Sequence, residues 1–570
     1  MPSHHTPLHA AAAEVVAAYA GIPATELKVE ATPRPELGDF AIGCFAIAKA
    51  TQRNPAQVAQ EIAAAFKPTA LLDSATAAGP FVNFRANRAA TFTWLVDAAL
   101  RGTLLPRVGE GQTVCIDYSS PNVSKHLAYH HIRSTMIGHS LAQSHRALGF
   151  RVIGINHLGD WGTTHGMLIA AYKMWGAPEP LTVDALNDLY VRFREAMKTD
   201  ASLEDTGRAW FKKLEDGDPE ARSLWERFRE ISLAEYNAIY ERLGIEFDEI
   251  RGESAYEADL PRVMKELTDR GLVVESEGAL VVHLPDEKTP ILLQKRDGAT
   301  LYATRDVATA EYRWNTYHPA RSLYVVDRGQ ALHFRQLFKL LAMMGYAWSS
   351  VCQHVPFGLV RIGGKKTGTR TGNVVLLKEV IGEAEARVRA LIAETNPDLP
   401  ADVLDRVAPM VGTGAVVFAN LAPQREKDVD FEWEKVVAMQ GDSGPYLQYS
   451  YARCASIARK ANEPITSTSG IDFGKLAHDA EWAVARKLLE FPDVVVRSAE
   501  ACEPHVIAHY LLDLAGEFSR WYTAGNGDAS LRVLTEDAPT RRARLALVAA
   551  VQSTMREGLS LLGMAAPDQM

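Results

Sequence analysis

Two apolar runs of strand character, Thr113 to Tyr118 and Val152 to Ile155, enclose a polar, proline-containing loop and a helix-periodic segment. Within that segment Ile132, Met136, Ile137, Leu141 and Leu148 recur at three- and four-residue steps, the spacing of one buried helix face. Gly149 stands where a helix-ending C′ glycine belongs. Strand, loop, helix and strand in so short a stretch form one βαβ unit of a parallel sheet. The unit predicts an α/β fold built on a doubly wound parallel sheet. Ligands of open parallel sheets sit beyond the carboxyl ends of the strands. Ser119, Ser120, Asn122 and Lys125 after the first strand, and His157 and Asp160 after the second, are therefore expected around one crevice.

The loop and helix start carry Lys125, His126, His130, His131 and Arg133. One such loop alone would read as a solvated surface. Here two polar clusters, Ser119-Ser120-Pro121-Asn122 and His157-Leu158-Gly159-Asp160-Trp161-Gly162, end neighbouring strands. A cationic loop at a helix N-terminus suits an anion, because free N–H groups and the helix dipole point at it. No GxxxxGK[ST] stretch is present, so the site is not a P-loop.

These residues resemble the catalytic core of the arginyl-tRNA synthetases, a family of class I aminoacyl-tRNA synthetases. The family pattern runs Ser-Ser-Pro-Asn, a spacer ending in Lys, then His-x-Gly-His-Leu-Arg-Ser-Thr. The register set by Ser119–Asn122 and Arg133-Ser134-Thr135 puts Ala128 at the first histidine, Tyr129 at the variable position and His130 at the glycine. Only His131 matches. By resemblance, the first histidine helps bind phosphates and the glycine lets adenine lie against the backbone. His126 and His130 are placed to supply the missing imidazole.

At 570 residues the chain is too long for one core and is expected to hold three or four domains. A net charge of -9 gives no global pull on nucleic acid, so any RNA binding needs local basic patches. The five cysteines are scattered without a CxxC pair, which fits a reducing cytosol and gives no zinc site. Neither a signal-peptide pattern nor a membrane-length apolar run is read, and a cytoplasmic location is expected.

Residues 1–90 read as a small α/β domain with helices at Ala10–Tyr19 and Ala56–Phe66 and a strand at Gly79–Arg85. Gly38-Asp39-Phe40 and the strand resemble the family's N-terminal additional domain, which implies contact with the tRNA D-loop corner. Residues 110–378 read as the catalytic domain. From about 167 to 296 the chain is expected to leave the sheet as a mainly helical insertion resembling the class I connective peptide. Residues 379–570 are helical nearly throughout and form a separate bundle. The stretch Gly441–Tyr449, followed by Arg453 and Lys460, resembles the family's anticodon-binding domain. Aromatics interleaved with Arg and Lys can stack on unpaired bases and hold phosphates.

Tyr302 and Asp306 lie four apart, one turn on one helix face. A phenol and a carboxylate suit a guanidinium, which offers five donors in a planar fork. By resemblance Tyr302, Asp306 and Gln330 hold the side chain of L-arginine, with Ser120, Pro121, Asn122 and His131 also around that substrate. Lys125, His131, Gly159, Asp160 and Lys366 fall at ATP. Lys366-Thr367-Gly368-Thr369-Arg370 resembles the second class I signature, and a glycine-rich loop with Lys365, Lys366 and Arg370 suits a departing pyrophosphate. Lys125, His130, His131, Lys366 and Arg370 are the expected catalytic residues. The resemblance implies an arginine–tRNA ligase, a monomer whose partners are tRNA(Arg), L-arginine and ATP. Magnesium would arrive with the ATP, and no resident metal is expected. Ala128 and His130 keep open an alternative, a catalytically impaired paralogue that binds arginine or tRNA.

Overall fold

The computed structural model describes residues 5–32, 34–294, 302–362, 365–366 and 375–570, with the backbone alone for Pro35, Tyr302, Lys365 and Lys366. Its central sheet has five strands, all parallel: Cys352–His354, Arg321–Tyr324, Thr113–Asp117, Arg151–Asn156 and Glu249–Ile250, in that spatial order. Counted along the chain, the first strand lies at the centre. The order therefore reverses between Thr113–Asp117 and Arg321–Tyr324, and a crevice opens at such a point.

Both faces of the first strand are covered. Val114 and Ile116 join the core that includes Ile132, Met136 and Leu141 of the following helix, His131–Ala147. Cys115 turns the other way with Ile153 and Ile155, against Tyr317 of the helix Tyr302–Tyr317. A strand buried on both sides needs a continuous apolar run rather than alternation, which is how Thr113–Tyr118 reads. Gly149, with φ 88, lets the chain leave the helix.

Residues Thr163–Trp175, Val183–Ala196, Ser202–Glu215 and Pro219–Arg242 form the helices of the insertion, with a core of their own around Leu186, Phe193 and Phe228. The insertion does not leave the sheet entirely, as the sequence suggested. Glu249–Ile250 returns to pair with Ile155 and Asn156 at the sheet edge. Two residues without an apolar run carry no strand signal; the unpaired edge next to them recruits them. Three antiparallel strands between Val274 and Gln294 follow.

In the N-terminal part, helices Pro7–Ala20 and Pro55–Ala65 accompany a four-stranded antiparallel sheet. Leu72–Ala78 was not legible as a strand, because Asp, Ser and Ala carry little strand preference. Its hairpin with Phe81–Ala86 makes it one. Asp39 joins this part to the C-terminal helices: one carboxylate oxygen accepts from the Trp482 indole at 2.8 Å, the other from the Ala86 amide at 2.9 Å.

Long helices run from Leu377–Thr395 to Ala538–Leu561. They are interrupted by the strand Val429–Phe431, which pairs in parallel with Val360–Ile362. The C-terminal segment is thus stitched back to the catalytic half. Among the described residues no helix is long and apolar enough to cross a membrane.

Gly138 sets how closely the helix His131–Ala147 approaches the first strand. A Cβ there would lie 2.2 Å from the Tyr118 Cβ. Gly138→Ala is expected to cost about 1–3 kcal/mol by overpacking. Gly382→Ala, on a helix face with nothing within 4 Å of an added Cβ, should instead gain roughly 0.5–1 kcal/mol. Scanning calorimetry of both variants checks the contrast.

Candidate active site

The chain turns out of the first strand through Ser119 and Ser120, both left-handed, with φ of 69 and 49. Residues other than glycine adopt that conformation only when other bonds hold it. Here the Ser119 amide donates to Ser134 Oγ at 3.0 Å, and the Ser119 hydroxyl meets Tyr240 OH at 2.7 Å. Ser120 Oγ donates to Asp117 Oδ1 at 2.7 Å, and its amide donates to Asn156 Oδ1 at 3.2 Å. The loop then zips onto its neighbour: the Gly159 amide donates to Pro121 O, and the Val123 amide to Gly159 O. A Cβ on Gly159 would sit 2.1 Å from Asn122 Oδ1, so a side chain there would turn the Asn122 amide away. The two polar clusters thereby form one floor, with Asn122 exposed upon it.

Gly159 and Asp160, expected against ATP, are committed to the protein instead. Both backbone groups of Gly159 are used in the zipper. The Asp160 carboxylate is fully buried and accepts from the Ser254 amide, Ser254 Oγ and Arg229 Nε at 2.9–3.1 Å. It fixes the loop to the insertion.

The departing signature residues have physical partners. Ala128 bridges the backbone of Leu376, the Tyr129 amide donates to Val375 O, and Leu127 O accepts from Leu377. The helix start is therefore tied to the chain that follows the second signature. Tyr129 is fully buried, packs on Phe431 and accepts from Asn420 Nδ2 at 3.0 Å. Arg133 donates to the carbonyls of Asn420, Arg425 and Lys427. Tyr129 and Arg133 thus anchor the motif to the C-terminal helices.

Four groups near the helix start differ in what they can offer. His126 does not supply the missing imidazole: its Nδ1 lies 2.6 Å from Glu235 and its Nε2 3.0 Å from Asp184, both in the insertion. The Glu235 hydrogen bond raises its pKa, so it acts as a cationic clamp. His131 Nδ1 lies 3.0 Å from Ala128 O, which leaves Nε2 as an acceptor. Burial, with His130 beside it, lowers His131 to about 3, so it is neutral. The His130 ring lies against it, centroids 4.1 Å apart, and His130 Nδ1 is buried with no hydrogen-bond partner among the described residues. Burial lowers His130 too, while Asp327 opposes the shift. The Lys125 ammonium faces the Tyr190 ring at 5.3 Å. Burial and then Arg194 hold its pKa below the usual lysine value, and among the described residues no carboxylate pairs with it. A half-buried cation without a counter-ion is suited to a phosphate.

Joined to this floor through Ser120 lies an acidic cluster that the sequence only half revealed. Asp117, buried at the end of the first strand, takes Arg313 at 2.7 Å besides Ser120. Asp306 Oδ2 meets His333 Nε2 at 2.7 Å. His157, whose amide donates to Ser120 Oγ, feels both Asp117 and Asp306, although burial lowers its pKa. Glu253, pushed up to about 7 mainly by burial, also senses Asp306. His157 stands at the crevice where the sequence put it, whereas Asp117, Glu253 and His333 were missed as site residues. Only the acid ending an apolar strand, Asp117, left a signal in the sequence. Gln330 is exposed where the helix Ala331–Met343 begins. Lys366 lies in a short strand paired with Arg361; Lys295 to Gly298, Thr367 to Arg370, Gly372 and Asn373 fall outside the described residues.

A second surface opens among the C-terminal helices. A cavity of about 800 Å³ is lined by Asn396, Met439, Tyr446, Tyr449, Arg453 and Met570. The Arg453 guanidinium lies over the Tyr449 ring at 4.8 Å, and Tyr449 is 41% exposed.

Comparison with known proteins covers the chain from end to end. The model for the tRNA synthetases class I (R) catalytic domain matches residues 95–433, that for the arginyl tRNA synthetase N terminal domain residues 6–86, and that for the DALR anticodon binding domain residues 447–570. The arginine–tRNA ligase of an Exiguobacterium strain is 43% identical, with 96% of each chain covered. That of Lactobacillus johnsonii is also 43% identical, over 95% of this chain and 96% of its own. Among solved structures, the Thermus thermophilus arginyl-tRNA synthetase superposes with a TM-score of 0.83 at 28% identity, over 98% of this chain and 99% of that one. The five-stranded parallel sheet, its crevice and the helical C-terminal part are therefore those of a class I synthetase, and the chain belongs to the arginyl-tRNA synthetase family.

Proposed function

We propose that the protein is an arginine–tRNA ligase. It joins L-arginine to ATP as arginyl-adenylate and passes the arginyl group to the 2′-hydroxyl of the terminal ribose of tRNA(Arg), acting as a monomer in the cytoplasm. The observation that carries this reading is the division of the crevice. One side offers an uncompensated cation, Lys125; the other gathers Asp117 and Asp306 about His157. An anionic triphosphate and a cationic side chain each find a counterpart.

In the first step a carboxylate oxygen of arginine attacks the α-phosphorus in line and pyrophosphate leaves. Positioning supplies much of the rate. Lys125, with Lys366 and Arg370 from the second signature, neutralises charge on the departing phosphates. Magnesium travels with ATP as part of the substrate. Asn122 and neutral His131 hold the amino-acid end, since an unprotonated Nε2 accepts from an ammonium. Asp306 takes the guanidinium, with Tyr302 and Gln330 beside it. Ser120 and Pro121 shape the floor. His130, whose Nδ1 has no hydrogen-bond partner among the described residues, takes over part of the transition-state contact that Ala128 cannot make. In the second step the ribose hydroxyl attacks the adenylate carbonyl and AMP leaves. The N-terminal part, residues 1–90, and the helical part, residues 379–570, hold the tRNA.

Three expected outcomes test this reading. Wild-type protein attaches arginine to tRNA in an ATP-dependent charging assay, and His130→Ala lowers kcat by about 10²–10³, the usual loss for one oxyanion-type donor. Inactive wild type that gains activity as the double variant Ala128→His, His130→Gly would make the protein an impaired paralogue instead. Asp306→Ala weakens arginine binding by about 3–5 kcal/mol, the range for stranding one partner of a buried ion pair, as read by titration calorimetry. Tyr449→Ala with Arg453→Ala weakens tRNA binding in gel shifts by about 1–3 kcal/mol for a lost stacking partner. That binding falls as salt rises. Unchanged affinity in the double variant would remove the C-terminal cavity from the RNA surface.

A further inference from the structure

Resting on the arginine pocket proposed above, we propose that His333 is a positioning residue for that pocket: it occupies Asp306 while the pocket is empty and must release it to the substrate guanidinium. The observation is the 2.7 Å contact between His333 Nε2 and Asp306 Oδ2. Among the described residues Asp306 Oδ1 has no hydrogen-bond partner. A guanidinium that pairs with both carboxylate oxygens needs the one that His333 holds. The imidazole sits on the first turn of the helix Ala331–Met343, three residues beyond Gln330, and Asp306 on the helix Tyr302–Tyr317. The pair therefore also fixes the distance between the two elements expected to grip the arginine side chain.

The contact has a purpose in the empty pocket. A part-buried carboxylate without a donor is costly and free to turn. His333 supplies a donor and one orientation. It can do so in either protonation state, but the two differ in how easily they yield. Neutral His333 donates one ordinary hydrogen bond. Protonated His333 is a cation that competes with the guanidinium for the same carboxylate and repels it.

Burial disfavours the charged ring, yet the hydrogen bond and charge of Asp306 outweigh burial, so the free protein titrates His333 above the usual imidazole value. The sign follows. Protonation favours the arginine-free state, so arginine binding expels a proton and weakens as pH falls through that window. Asp306 also faces His157 and Glu253. Arg335 and Lys339 on the His333 helix are engaged by Glu287, and Arg328 just before it by Asp428. His354 of the neighbouring strand stacks on Phe334, and its Nε2 meets Val326 O. Among the described residues Asp306 is the one charge that acts on His333.

The test is titration calorimetry of the full chain with L-arginine from pH 5.5 to 8.5, each point in two buffers of different ionisation enthalpy. For the wild type, Kd should rise by about tenfold per pH unit below the His333 window, with proton release on binding. His333→Gln keeps an amide donor for Asp306 but does not titrate there. Its Kd should lose most of that slope and most of its proton release, the remainder belonging to Glu253, which titrates near 7 beside Asp306. A wild-type Kd flat across the range, or a His333→Gln variant that keeps the wild-type slope, overturns the proposal. Asp306→Asn separates the two readings. If it loses arginine binding while His333→Gln keeps the slope, only the role of His333 falls. If it binds arginine like the wild type, the pocket assignment falls and this inference with it.

Discussion

A buried ion pair under the crevice governs the geometry of everything above it. Arg313, 2.7 Å from Asp117, links the end of the central strand to the helix that carries Asp306. Both partners are almost completely buried, and Arg313 also lies over the Tyr324 ring at 4.9 Å. Such a pair adds little net stability over an apolar replacement, but removing one partner leaves a stranded charge. Its value here is positional. Asp117 also receives Ser120 Oγ, so one carboxylate sets both the left-handed turn of the floor and the helix of the adjoining acidic wall.

The same economy recurs around the signature helix. His126 is clamped by two carboxylates of the insertion, while Tyr129 and Arg133 reach the C-terminal helices. Ala128 pairs with the backbone just beyond the second signature. The signature segment is therefore in contact with the insertion, with the chain just beyond the second signature and with the C-terminal helices. Substitution at the family's first histidine and glycine has left this anchoring intact, because it runs through backbone groups and through residues to either side.

What the chain does not share between its parts is equally physical. The C-terminal cavity offers aromatic faces with guanidinium groups, the chemistry for unpaired bases. The crevice offers instead a desolvated lysine, neutral imidazoles and carboxylates. A protein with net charge -9 can handle RNA only by such local provision.

The sequence by itself determined the βαβ unit, the helical C-terminal part and the two polar clusters at neighbouring strand ends. Each is a local matter: periodicity, a run of apolar residues, or a polar cluster beside them. It did not determine the strand Leu72–Ala78 or the return of Glu249–Ile250 to the sheet, whose residues have no intrinsic strand preference and are strands because a partner lies alongside. Nor did it determine which polar residues face ligand and which face protein. Asp160 and His126 looked like site residues and are consumed by contacts 69 and 109 positions away along the chain, and Tyr129, at the variable position of the signature, by one 291 positions away. His333 looked like nothing, and stands 2.7 Å from Asp306. A side chain's chemistry is written at its own position, but whether that chemistry is already spent depends on neighbours that only the tertiary fold brings within hydrogen-bonding distance.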